Sequence, residues 1–315
     1  MLKLGMGTAA IGRPHYINVR SIANNYTSLE EFKQEGLKVL DYAYDLGIRY
    51  FDTAPGYGIA EKMIINWLKE RMHKDIEIAT KWGYTYTANF EKSAEIHEVK
   101  EHSLHKLLEQ WEESKHLLPY LTSYQIHSAT LESGVLENTS VLGKLNFLKN
   151  ELGLHIGLTS TGKNQLEVLK RAIDIDMEGK PLFDVFQITY NVMDQSLQKI
   201  CLQLATENKR VIVKEALANG RVFRNKNYPI HSKLYDTLEE LASKYSVGVD
   251  AIALRFCMDT INPYIVLSGA SSTFQLSENR MSLQFTLTEY ELALLKQFAV
   301  SPHNYWAERK LLLWN

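Results

Sequence analysis

The feature that most constrains the fold of this chain is a regular alternation of short apolar runs with helix-periodic segments. Most of the apolar runs are uninterrupted, as expected for parallel strands that are buried on both faces. Between them, apolar side chains recur at helical spacing, as at Leu104, Leu107, Leu108 and Trp111. The strand predictions cover residues 2–8, 48–52, 76–81, 121–127, 154–159, 183–189, 210–215 and 264–268.

Eight strands alternating with helices predict a (β/α)8 TIM barrel, which typically needs about 250 residues plus insertions. The pattern continues without a linker rich in Gly, Pro or Ser, so residues 1–315 are expected to form a single domain. Residues 13–27, 82–96 and 221–231 would be long βα loops over the barrel mouth, joined there by a C-terminal tail after Ser301. A doubly wound open sheet is the alternative, but the segment after Gly5 and Gly7 shows no direct helix signal.

Composition bears mainly on partners and location. Hydrophobic residues make up 45% of the chain, which is enough for a large core, and the formal net charge of −2 gives no reason to expect nucleic acid or an anionic membrane as partner. The N-terminus shows no signal-peptide pattern, and no apolar run approaches a membrane span. Cys201 and Cys257 fall in helical patterns and are expected to be buried thiols. We therefore expect a cytoplasmic protein.

Four titratable side chains lie at or just after three successive strand ends. Asp52 ends one predicted strand, Tyr57 follows it in a turn-like segment, and Lys81 and His127 end the next two. The carboxyl ends of the strands of a parallel barrel open into one mouth, so these groups are expected to meet. Each alone has an ordinary explanation, such as a turn cap or a core histidine. Together they predict a proton-transfer site.

The pKa of tyrosine indicates what this site can do. Lowering that pKa from about 10 by about 3 units requires a preference of about 4 kcal/mol for the phenolate, and an exposed ion pair is worth only about 0–1 kcal/mol. A lysine ammonium in a poorly solvated cleft can supply the difference. We therefore expect Tyr57 to be a general acid that Lys81 activates. Asp52 would keep Lys81 charged, and His127 would hydrogen-bond the substrate oxygen.

In their order and context, these four residues resemble the catalytic tetrad of the aldo-keto reductase family. The resemblance continues through residues 5–8, 157–160, 187–191 and 268–279. It implies reduction of an aldehyde or ketone to an alcohol on a (β/α)8 barrel, with NADPH as cofactor and NADH not excluded. The nicotinamide would lie in the mouth, where Tyr57 protonates the carbonyl oxygen and His127 orients it.

The resemblance also implies which residues hold the cofactor. Gln187 and Ser160, with Thr159 beside it, would contact the carboxamide. A helix opening near Ser272 would offer free N–H groups to phosphate, although an ordinary capped turn explains the same residues. Along the pyrophosphate and the adenosine we expect Leu217, Asn219, Gly220, Ser268, Gly269, Ala270, Ser271, Ser272, Gln275, Glu278 and Asn279.

Three positions depart from the family pattern. Lys214 stands where many members carry an aromatic residue that stacks on the nicotinamide. It could contact a phosphate or an acidic substrate, or point to solvent in a structural role. Gln275 replaces an arginine of many NADP-selective members, which removes a bidentate phosphate clamp. Thr159-Ser160-Thr161 replaces the usual Ser-Asn pair.

The substrate and the direction of the reaction stay open. Trp82 and Tyr84 are the tentative pocket residues, and Tyr16, Tyr86, Tyr305 and Trp306 could join them or serve as packing anchors. A polyol or sugar dehydrogenase working in the oxidative direction is one alternative, and an NADPH-binding sensor or partner subunit with little turnover is another. In a lyase or isomerase, Lys81 would be a Schiff-base nucleophile. The adjacent Asp52 carboxylate opposes that role, because it stabilises the charged ammonium. We expect a small-molecule substrate and no metal. The sequence makes no prediction about whether the chain is a monomer or an oligomer.

Overall fold

The computed structural model describes residues 2–15, 28–91 and 93–313. Eight parallel strands close into a barrel in which the first strand pairs with both the second and the last. This closure confirms the predicted (β/α)8 barrel and excludes the open sheet. In chain order, β1 to β8 span Leu4–Gly7, Tyr50–Asp52, Glu77–Trp82, Leu121–Ala129, His155–Ser160, Val185–Thr189, Arg210–Lys214 and Ile265–Ser268.

Each barrel strand begins and ends within two residues of its prediction, as far as boundaries can be expected to agree. Helices lie between the strands and around them. In the described ranges, α1 to α12 span Ala9–Gly12, Leu29–Asp45, Ala60–Arg71, Leu104–Ser114, Thr139–Leu152, Gln165–Ile173, Gln198–Thr206, Ser232–Tyr245, Val249–Ile261, Thr273–Arg280, Glu289–Lys296 and Pro302–Arg309.

The apolar strands have two separate surfaces to cover. A small cluster that includes Tyr50, Val185 and Ile212 fills the barrel interior, whereas a much larger cluster lies between the strands and the helices. Trp67 of α3 and Trp111 of α4 belong to this outer layer. Because both faces of each strand are covered, the strands are apolar without alternation.

The carboxyl ends of the strands carry the predicted loops and the tail. Residues 82–96 lie largely in an extension whose strands Tyr84–Tyr86 and Glu98–Lys100 pair antiparallel. Of the predicted loop 13–27, residues 16–27 lie outside the described residues. Helix α12 lies against the ends of β6 and β7, where Tyr305 Oη accepts a hydrogen bond from Asn191 Nδ2 over 2.9 Å.

The cysteines and the helices bear on two expectations from the sequence, buried thiols and no membrane span. Cys201 and Cys257 are both buried free thiols, as predicted. Within the described ranges, no helix has the length and apolar character needed to cross a membrane.

Candidate active site

An ion pair at the ends of β2 and β3 forms the centre of the site. Lys81 Nζ donates hydrogen bonds to Asp52 Oδ2 over 2.6 Å and to the carbonyl oxygen of Thr53 over 2.9 Å. Gln187 Nε2 donates to the other carboxylate oxygen of Asp52 over 2.7 Å. Burial lowers the pKa of Lys81, and the adjacent Asp52 carboxylate opposes that shift. Each of the two buried charges is therefore compensated by the other, because an unpaired buried charge carries a large desolvation cost.

Tyr57 lies next to this pair. Its side chain is 8% exposed, and Lys81 Nζ lies 4.8 Å from the centroid of its ring. The turn that carries Tyr57 depends on Gly58, which has φ +64° and whose added Cβ would lie 2.4 Å from the carbonyl oxygen of Gly12. A side chain at position 58 would thus displace the tyrosine. The turn places the phenol in the mouth beside an ammonium.

His127, at the end of β4, completes the group of four. Its Nε2 atom lies 3.5 Å from Tyr57 Oη, and its backbone oxygen accepts a hydrogen bond from His102 Nε2 over 2.9 Å. Burial, followed by the positive charges of Lys81 and Arg13, lowers the pKa of His127 well below its usual value. The imidazole is therefore neutral near pH 7 and can donate one hydrogen bond to a carbonyl oxygen without adding charge.

A cleft leads from Asp52 and Tyr57 across the barrel mouth to the start of α10. It encloses about 1110 Å³ of empty space, its open mouth included. Most of the predicted cofactor residues line this cleft together with the catalytic candidates Asp52 and Tyr57. They are Gln187, Leu217, Asn219, Gly220, Ser268, Gly269, Ala270, Gln275 and Asn279.

Five predicted cofactor residues do not line the cleft, namely Thr159, Ser160, Ser271, Ser272 and Glu278. Thr159 Oγ1 accepts from the backbone N–H of Ser128 over 2.7 Å, and Ser160 Oγ donates to Gln165 Oε1 over 3.3 Å. Ser272 caps α10 by accepting from the N–H of Gln275 over 3.2 Å. These contacts organise the rim, and a direct role in binding stays a prediction for all five.

Lys214 lines the cleft at the end of β7, next to Gln187 on β6. Its Nζ atom donates to Thr189 Oγ1 over 2.8 Å, and burial lowers its pKa to about 8. Lys214 is half-buried, so its structural role and a contact with a ligand in the cleft both stay predictions. Its ammonium has a structural partner in Thr189, and the residue lies on the wall of the cleft that the cofactor would enter.

The aromatic residues considered for the substrate pocket have different surroundings. Tyr84 is half-buried, with its ring 4.8 Å from that of His127. Trp82 is fully buried and lies 5.5 Å from the His102 ring, so its role as a pocket wall gains no support and stays a prediction. The buried Tyr305 and Trp306 are packing anchors of α12. Tyr86 contacts Phe90, and Tyr16 lies outside the described residues.

Other cleft residues were not found from the sequence. Asp250 lines the far end of the cleft from the first turn of α9. Acidic residues are common in the first turn of a helix, so no sequence signal distinguished this one. Glu215 lines the cleft next to Lys214, and its only signal was the lysine beside it. Gly7, Ala9 and Ala10 line the cleft from β1 and α1.

The residues present fit a nicotinamide dinucleotide. The Gln187 amide lies at the end beside Tyr57, and Ser268, Asn279 and the start of α10 lie at the other end. The N-terminus of a helix and such hydroxyl and amide groups suit phosphate and ribose oxygens. Small residues between the two ends, among them Gly7 and Gly269, leave room for the ligand.

The chain is similar in sequence to known proteins. The sequence profile of the Aldo/keto reductase family matches residues 3–300. The NADH-specific methylglyoxal reductase of Escherichia coli is 23% identical over 285 residues, which cover 82% of this chain and 85% of the relative. The L-galactose dehydrogenase of Arabidopsis thaliana is 27% identical over 274 residues, which cover 80% of this chain and 82% of the relative.

Solved structures show the same fold. The glycerol dehydrogenase of Gluconobacter oxydans superposes with a TM-score of 0.71 at 21% identity and covers 94% of this chain and 90% of that one. The holo form of an aldo-keto reductase from Bacillus halodurans gives 0.68 at 22% identity and covers 95% and 92%. The chain belongs to the aldo/keto reductase family and is an NAD(P)H-dependent oxidoreductase that acts on carbonyl or alcohol groups.

Proposed function

We propose that this protein reduces the carbonyl group of a small aldehyde or ketone to an alcohol, with Tyr57 as the proton donor. The observation that carries the proposal is the buried Lys81–Asp52 pair directly beside the Tyr57 ring, at one end of a cleft that fits a dinucleotide. A protein that only binds the cofactor has no need of this arrangement.

The charges of the site explain how a tyrosine can act as an acid at neutral pH. When bound, NAD(P)H supplies the hydride that the carbonyl carbon accepts. Tyr57 Oη gives its proton to the carbonyl oxygen as negative charge develops there. The phenolate left behind is stabilised by the Lys81 ammonium, and Asp52 keeps that ammonium charged and in place. The opposite proton movement serves alcohol oxidation, so the residues allow both directions.

His127 orients the substrate in this proposal. Its neutral Nε2 atom lies close enough to Tyr57 Oη for both groups to reach one carbonyl oxygen. Two hydrogen bonds to the same oxygen fix the direction of the carbonyl and stabilise the charge that develops on it. Tyr84 lies against the His127 ring and would form the adjacent wall of the substrate pocket.

The names of the relatives suggest the first substrates to try. One relative is a methylglyoxal reductase, and two others are dehydrogenases of sugars, D-threo-aldose and L-galactose. Methylglyoxal, a D-threo-aldose and L-galactose therefore form a short panel that covers both reaction directions.

Tyr57→Phe tests the proposal directly. Removing the phenolic proton should lower kcat/KM for the best substrate of the panel by about 10²–10⁴-fold, because general acid catalysis contributes that much. The dinucleotide Kd should change by less than about twofold, since the ring is retained. Stopped-flow reduction kinetics and a fluorescence titration measure the two quantities.

Tyr290→Phe is the matched control, because that tyrosine is exposed on α11. It should leave both quantities unchanged. Undiminished turnover in Tyr57→Phe would remove Tyr57 from the mechanism. Failure of the wild-type protein to bind either NADH or NADPH would overturn the proposed function.

A further inference from the structure

A carboxylate that the proposed mechanism does not use lies at the far end of the cleft. Asp250 is 8% exposed and lines the cleft together with Gln275 and Asn279. Asn279 Nδ2 donates a hydrogen bond to Asp250 Oδ2, and Asn279 Oδ1 accepts one from Ser268 Oγ over 2.7 Å. This relay ties the carboxylate to the end of β8, so its position is set by the barrel.

A second carboxylate, that of Glu278, adds to the negative charge of Asp250. An added Cβ at Gly248 would lie 2.2 Å from Asp250 Oδ1 and 3.5 Å from Glu278 Oε2, so the two carboxylates approach the same space. Burial raises the pKa of Asp250, whereas the hydrogen bond from Asn279 favours its ionised form. Among the described residues, none forms a salt bridge with Asp250.

Two side chains of α10, Gln275 and Arg280, could contact a phosphate here, but neither brings a positive charge into the cleft. Gln275 Oε1 accepts hydrogen bonds from Ser271, from its N–H over 2.8 Å and from its Oγ over 3.2 Å. Arg280 Nε donates to the carbonyl oxygen of Leu46 over 3.3 Å, and Arg280 does not line the cleft. Among the described residues, those that line the far end of the cleft thus present a carboxylate and amides to a ligand and include no cation.

The direction of the bound dinucleotide follows from the proposed function, on which this inference rests. The nicotinamide must lie beside Tyr57, so the adenosine half extends toward Asp250. NADPH differs from NADH only by a phosphate on the 2′-hydroxyl of the adenosine ribose, with a charge of about −1.5 to −2 near pH 7. A carboxylate can accept hydrogen bonds from free ribose hydroxyls but repels a phosphate at the same place.

We propose that Asp250 makes this protein selective for NADH over NADPH. The carboxylate accepts hydrogen bonds from the ribose hydroxyls of NADH and repels the 2′-phosphate of NADPH. Asn279 and Ser268 position the carboxylate, and the described residues that line this end, Gln275 among them, offer the phosphate no cationic partner.

Titration of the protein with each dinucleotide, followed by tryptophan fluorescence and without substrate, tests this proposal. The wild-type protein should bind NADH at least about 20-fold more tightly than NADPH, in line with a like-charge contact in a cleft of low dielectric. Asp250→Asn should reduce that ratio by about tenfold or more, chiefly through tighter NADPH binding. Asp250→Glu keeps the charge and should keep NADH as the tighter ligand.

Two further arms keep the outcome clear. AMP and adenosine 2′,5′-bisphosphate probe the adenosine end without the nicotinamide, and competition against NADH should show the same preference and the same change in Asp250→Asn. Glu289→Gln removes one exposed acid from α11 and should leave the ratio unchanged. Circular dichroism shows whether each variant is folded. If Asp250→Asn is unfolded, the Kd ratio of Asp250→Glu carries the test.

The outcomes separate the two proposals. Equal wild-type Kd values, or a lower Kd for NADPH, overturn the selectivity proposal and leave carbonyl reduction untouched. An unchanged ratio in folded Asp250→Asn, or loss of the preference in Asp250→Glu, also overturns it. Failure of both dinucleotides to bind overturns the proposed function together with this inference.

Discussion

At the scale of single residues, Glu61 shows how burial changes chemistry next to the site. It lies in the first turn of α3, where Thr80 Oγ1 and Ser114 Oγ both donate to its Oε1 atom, over 2.7 and 2.8 Å. Burial raises its pKa from 4.5 to about 7, although these hydrogen bonds and the nearby Lys81 favour the charged form. The folded protein therefore prefers the protonated carboxyl more strongly than the unfolded chain does.

This preference makes stability depend on pH in a defined direction. The contribution of Glu61 is fully present below its unfolded pKa, near 4.5, and is lost as the pH rises through about 7. Glu61→Gln removes the titration and can keep both accepted hydrogen bonds. We expect it to unfold with a free energy about 3 kcal/mol higher than the wild type at pH 8, with the difference vanishing below pH 4.

Urea unfolding of both proteins at several pH values measures the difference. A difference that did not change between pH 4 and pH 8 would contradict the assignment. Glu70→Gln is the matched control, because Glu70 is an exposed residue of the same helix. It should show no comparable pH dependence.

At the scale of elements, the loop after β7 depends on the C-terminal helix. Glu215, Ala218 and Asn219 all have positive φ values, of 55°, 48° and 57°, which are uncommon for residues other than glycine. Helix α12 contacts this loop through the Arg309–Glu215 ion pair. Burial alone would raise the pKa of Glu215, but the charges of Arg309 and Lys214 outweigh it and lower the pKa to about 2.

Arg309→Leu should therefore act on the cofactor from outside the cleft. Removing the guanidinium leaves Glu215 buried with less compensation, so the loop that carries Leu217, Asn219 and Gly220 should shift. We expect the dinucleotide Kd to rise by about tenfold, which corresponds to about 1.4 kcal/mol, with a smaller rise in Arg309→Lys. Fluorescence titration measures both.

Arg224→Leu is the control for this prediction. Arg224 pairs with Asp236 and Glu239 of α8 on the surface, so its loss should leave the Kd unchanged. A Kd in Arg309→Leu equal to that of the wild type would show that the loop keeps its conformation without α12.

At the scale of the whole molecule, closure of the barrel requires close approach of its strands. Gly157 lies in β5, and an added Cβ would lie 2.7 Å from the carbonyl oxygen of Val185 in β6 and 3.0 Å from Gln125 Cγ in β4. Gly5 in β1 is similarly enclosed, with Ile265 Cγ2 at 2.6 Å. These glycines leave space inside the barrel that a methyl group would take.

Gly157→Ala should destabilise the entire fold rather than one strand. Because the contact at 2.7 Å is with backbone, the strands must separate, and we expect a loss of about 1–3 kcal/mol in the free energy of unfolding. Gly143→Ala in α5 is the control. Nothing lies within 4 Å of its added Cβ, so it should be neutral or gain up to about 1 kcal/mol. Calorimetry compares the two, and an unchanged Tm in Gly157→Ala would contradict the argument.

The order of the strands and helices follows from the sequence alone, because strand and helix periodicity are local patterns. It also indicated Asp52, Tyr57, Lys81 and His127, since a titratable residue at the end of an apolar run is a local feature as well. All eight strands were predicted to within two residues, and the four residues lie together in the mouth.

Contacts between distant parts of the chain are established only in the folded protein. Gln187 reaches Asp52 across 135 positions, Arg309 reaches Glu215 across 94, and Asp250 meets Asn279 across 29. No local pattern marks such pairs, because each depends on the closure of the barrel and on how α9, α10 and α12 pack around it. Trp82 shows the same limit: it was predicted in the loop after residues 76–81, whereas it ends β3 and packs against His102 with its side chain fully buried.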